Sequence, residues 1–148
     1  MEENMIVGDS LLNTGVMNLI SDKVKTLPWF FLDHTGYANH KGDGPSFYCL
    51  VEDSPQLERL HQNHHYDLFS IPLITACEKH NIQLNQIIRI RVGLITKSGD
   101  DVVHSPHVDN VYPHKGMILY VNDSDGDTLF YEERHPGSEL VHGILDNS

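Results

Sequence analysis

The sequence predicts an α+β domain in which helices come first and an antiparallel sheet or sandwich follows. Three observations carry this. Apolar residues recur at helical spacing in the stretches before residue 86. After it, short apolar runs alternate with polar residues, as half-buried strands do. Turn-forming clusters, rather than helical crossovers, separate those runs. The length of 148 residues fits one domain, 1–148, with 1–85 as a helical and β support region and 86–148 as the first part of the sheet core.

Asp9 or Ser10 is the expected N-cap of a first helix, and Leu11, Leu12, Val16, Leu19, Ile20 and Val24 recur along it. Leu27 and Pro28 end it. Trp29-Phe30-Phe31-Leu32 and residues 46–51 are aromatic and β-favouring, so both predict strands. The intervening residues 33–45 are glycine-rich and read as a loop. Ser54-Pro55 marks a second helix, to about residue 67, with a capping hydroxyl before a first-turn proline. A third helical stretch covers residues 71–80, with Pro72 in its first turn and Asn81 at its end.

Residues 87–95 alternate, with Ile88, Ile90, Val92 and Leu94 against Arg89, Arg91 and Gly93, and predict a strand. Further strands are expected from Val102-Val103, from residues 117–121 and from residues 128–131. Residues 122–127 read as a hairpin connection between the last two. There is no internal repeat and no low-complexity tract.

Composition narrows the function classes. Hydrophobic residues at 39% and charged residues at 21% describe a folding chain rather than a disordered one. No apolar run reaches the roughly 18 to 20 residues that cross a bilayer. The start, Met1 to Gly8, lacks the basic patch and long apolar stretch of a signal peptide, so the cytoplasm is the expected compartment. A net charge of −11 repels phosphate backbones and disfavours nucleic acid as a partner. Cys49 and Cys77 are too few for a disulfide scaffold or a cysteine-rich zinc site, and read as buried thiols. The chain has 11 histidines, which prompts a search for ligand spacing.

The sharpest motif is His107-Val108-Asp109. On a strand, residues two apart share a face, so one imidazole and one carboxylate converge. Two histidines and one carboxylate, with open positions for an organic co-substrate and dioxygen, form the usual non-haem iron(II) oxygenase site. His-x-Asp by itself is common, and its surroundings supply the specificity.

Four segments supply it: Arg89-Ile90-Arg91-Val92, His107-Val108-Asp109-Asn110, Leu119-Tyr120-Val121-Asn122 and Gly126-Asp127-Thr128-Leu129-Phe130. Together they resemble the 2-oxoglutarate- and Fe(II)-dependent dioxygenases, particularly the prolyl-4-hydroxylase-like branch and small relatives carried by marine phages. The resemblance covers roughly residues 86–131. It implies an antiparallel double-stranded β-helix, or jelly roll, with the N-terminal helices packed on it. It also implies that His107 and Asp109 bind Fe(II), and that the Tyr120 hydroxyl meets the distal carboxylate of the co-substrate 2-oxoglutarate. Arg91 is a candidate to line the same pocket, and Asn122 reads as a turn residue. The substrate is expected to be a peptide or a small molecule.

The family also requires a distal histidine and, after it, a basic residue that pairs with 2-oxoglutarate. His142, in Leu140-Val141-His142-Gly143-Ile144, is the candidate third metal ligand, with His135 the other downstream histidine. Arg134 is the only lysine or arginine after Tyr131. The resemblance therefore implies a β-helix incomplete at its C-terminal end. Three explanations stand: a shortened form of a longer enzyme, a sheet completed by a second subunit, or a non-catalytic module such as a phage structural or accessory protein. The last would act in the host cytoplasm or the virion through an assembly partner.

Ordinary structural roles compete with these assignments. Tyr120 suits the core side of an alternating strand, and Arg91 the solvent side. His61 and His65 are four apart on a predicted helix and share a face, but no glutamate sits beside His61 as a zinc protease motif needs, so a polar helix face is the simpler reading. Residues 123–127 have a calcium-loop look, yet glycine is fourth rather than sixth and Arg134 occupies the twelfth place, which excludes an EF-hand. His104 and His114 flank the site as substrate-contact or loop residues. No glycine-rich phosphate loop or serine elbow is present.

Overall fold

The computed structural model describes residues 5–33, 45–53, 64–96, 103–104, 106–107, 109–110, 113–124 and 126–130. Among them the chain is a mixed helix-and-strand fold in the order α1 (Thr14–Val24), β1 (Phe30–Leu32), β2 (Ser46–Asp53), α2 (Tyr66–Lys79) and β3 (Arg89–Ile95). No helix among the described residues is long and apolar enough to cross a membrane. The chain divides into two compact units, 1–28 with 50–92, and 29–49 with 93–148.

In the first unit, α1 begins later than the capping residues predicted. Asn13 is the N-cap, extended at φ −69° and ψ 158°, and its Oδ1 accepts from the Val16 amide at 3.0 Å. Ser10 instead holds φ 55°, a left-handed backbone outside the helix. Leu11 and Leu12 therefore precede the helix rather than line it. Ile20 is fully buried, while Leu19 beside it is exposed. Thr26 closes the end, with both its amide and its hydroxyl donating to the Lys23 carbonyl at 3.0 Å.

Helix α2 corrects a second expectation. It starts at Tyr66, so Pro72 lies in its interior and not in its first turn. An interior proline gives up one intrahelical hydrogen bond. Here its ring is buried with Phe69, Ser70 and Cys77, which offsets part of that cost. The C-terminus matches the sequence expectation closely. Asn81 adopts φ 52°, its amide donates to the Glu78 carbonyl at 3.3 Å, and the Ile82 amide donates to the Cys77 carbonyl at 2.8 Å. That pair of bonds is a Schellman closure. The predicted helix start at Ser54-Pro55 lies outside the described residues.

The strands form one sheet of order β1-β2-β3 among the described residues. β1 and β2 run antiparallel, pairing Phe30 with Tyr48, Phe31 with Phe47 and Leu32 with Ser46. In the second unit, ring centroids lie 5.8 Å apart for Phe30 and Tyr48 and 5.5 Å for Phe31 and Phe47. Cross-strand aromatic pairs of this kind stabilise a register. Just past β3, the Thr96 hydroxyl donates to the Pro45 carbonyl at 2.9 Å, as antiparallel β2 and β3 require. Ser46, Cys49, Val51 and Glu52 are all buried, so β2 is covered on both faces. Both cysteines are free and buried, and burial pushes the Cys49 thiol up from its ordinary pKa.

The late strands are realised only in part. β3 keeps the predicted alternation at Ile90, Arg91, Val92 and Gly93, but Leu94 and Ile95 are both exposed. Residues 117–121 alternate in burial, with Met117, Leu119 and Val121 the more covered side, yet none belongs to a strand. The same holds for residues 128–130 and for Val103, while Val102 and Tyr131 lie outside the described residues. Alternation fixes which face a side chain takes. A strand also needs a hydrogen-bonding neighbour, which sequence pattern alone does not supply.

Candidate functional site

His107, Asp109, Tyr120 and the turn after it belong to the second unit. His107 and Asp109 are both exposed, and both have interaction partners in the folded chain. Asp109 sits at a bend rather than in a strand, so the two-residue strand period predicted to align the pair does not operate there. Val108 lies outside the described residues.

Tyr120 has the best-defined surroundings. Its hydroxyl is hydrogen-bonded to the hydroxyl of Thr128 across the predicted hairpin connection. The turn between them carries its own bonds. The Asn122 side-chain Nδ2 donates to the Asp123 carbonyl at 2.7 Å, and the Gly126 backbone amide donates to Ser124 Oγ at 3.2 Å. A serine hydroxyl accepting from the amide two residues on is a turn-forming bond. Gly126 is not demanded by space, because a Cβ there would meet only Ser124 Oγ at 3.6 Å. Tyr120 is 46% exposed and therefore leaves the predicted core-tyrosine role aside.

The remaining candidates are not brought to this place. Arg91 is exposed on β3 within the first unit. His142, His135 and His61 lie outside the described residues. His104 is half-buried and His114 exposed, each with partners in the chain. Among the described residues, no group of three or more histidine, cysteine, aspartate or glutamate side chains is placed to hold a metal ion.

Two features were missed by sequence reasoning. The Thr128 hydroxyl, which meets that of Tyr120, is one. The other is the place of His65, which is the N-cap of α2 rather than part of the helix face it was expected to share with His61. Burial, then the charge of Lys23, then that of His64 lower its pKa from the ordinary 6.5. In the first unit, a shallow, open depression lies at the C-terminal end of α2, lined by Ile74, Cys77, Glu78, Asn81, Ile82 and Leu84.

Comparison with family models, with curated proteins and with solved structures gives no match.

Proposed function

We propose that this chain is a 2-oxoglutarate- and Fe(II)-dependent oxygenase that hydroxylates a peptide or small molecule in the cytoplasm. The observation that carries the reading is the Tyr120–Thr128 hydrogen bond, which supports a hairpin following His107-Val108-Asp109 at the family's spacing. The reading extends to a double-stranded β-helix for residues 86–148.

One imidazole nitrogen and one carboxylate oxygen suit Fe(II), and the described residues bring together no group of three ligands. His107 and Asp109 would hold the ion, and His142 is the proposed third donor. When bound, the pair of Fe(II) and 2-oxoglutarate supplies dioxygen activation coupled to decarboxylation, giving succinate, carbon dioxide and an oxidised substrate. The chain's own work is to bind and orient. Tyr120 is exposed as a residue, and a phenol hydroxyl is a suitable donor to a carboxylate.

Anaerobic addition of Fe(II) and 2-oxoglutarate to the full chain tests this. The expected result is a visible charge-transfer band, lost in His107→Ala and in Asp109→Ala, with succinate formed on admission of air. No band and no succinate would leave the alternative, a non-catalytic module of the same fold serving as a phage structural or accessory protein.

A further inference from the structure

We draw no further inference here: the strongest candidate, the apolar surface patch at the end of the sheet in the second unit, where Phe30, Phe31, Leu94 and Ile95 are exposed, carries nothing because no observation among the described residues shows what covers it.

Discussion

Asn81 ends α2 in a left-handed backbone, φ 52°, and its amide and that of Ile82 close the helix. Glycine accepts this conformation freely, whereas a β-branched side chain strains there by about 1–2 kcal/mol. Asn81→Gly is therefore expected to retain or raise the urea midpoint, and Asn81→Val to lower it; equal midpoints would count against this cap. His65 gives a second residue-scale expectation. Its pKa is lowered in the folded protein by burial, then Lys23, then His64, so the unfolded chain binds its proton more readily. Above 6.5 the neutral form prevails in both states and nothing is lost. As pH falls through 6.5 toward the lowered native value, stability declines. His65→Gln should flatten this limb relative to the parent when denaturant midpoints are taken from pH 8 down to 5, and parallel profiles would refute it. Asn81 was legible because its chemistry and its position after an apolar periodic run agree. Ser10 was not, since a capping hydroxyl looks the same in sequence whether or not its backbone turns left-handed.

At the scale of elements, periodicity located α1 but did not say which apolar residue goes inside. Leu19 and Ile20 are neighbours of similar hydrophobicity, yet Leu19 is 62% exposed and Ile20 is 0% exposed. Ile20→Ala should cost about 2–5 kcal/mol through a cavity, and Leu19→Ala about 0.5 kcal/mol or less. Equal losses in chemical denaturation would mean that the helix packs on another face. α2 shows the opposite limit. Proline is a sound helix-start signal in isolation, and at Pro72 it misled because a buried ring compensates for a missing amide, which only tertiary packing reveals. The strands of the three-stranded sheet were all legible within about two residues, the aromatic pairs of β1 and β2 being strong β-formers. The later segments showed their alternation but not their hydrogen-bonding neighbours.

For the whole molecule, a net charge of −11 sets the long-range field. Self-repulsion of like charge weakens the compact state and is screened by salt. The melting temperature should rise as sodium chloride is raised from low to moderate concentration, and a flat or falling profile would show that local ion pairs dominate. The same field predicts no salt-dependent retention on duplex DNA, measurable by gel shift at low ionic strength. Of the candidate site, the sequence made the residue types legible at His107, Asp109 and Tyr120. It did not reveal the bend at Asp109 or the Thr128 partner, because both depend on backbone path rather than on residue identity.

The division of the chain has a consequence for how this protein can be taken apart. Each unit is assembled from two separated stretches, and the boundaries at 49/50 and 92/93 fall within β2 and β3. No single cut yields either unit whole, and two of the three crossings would sever a hydrogen-bonded strand. Neither half is a cassette that could be shuffled intact into another gene. Contacts within each unit also join residues far apart along the chain, so folding must close long loops before those contacts reward it.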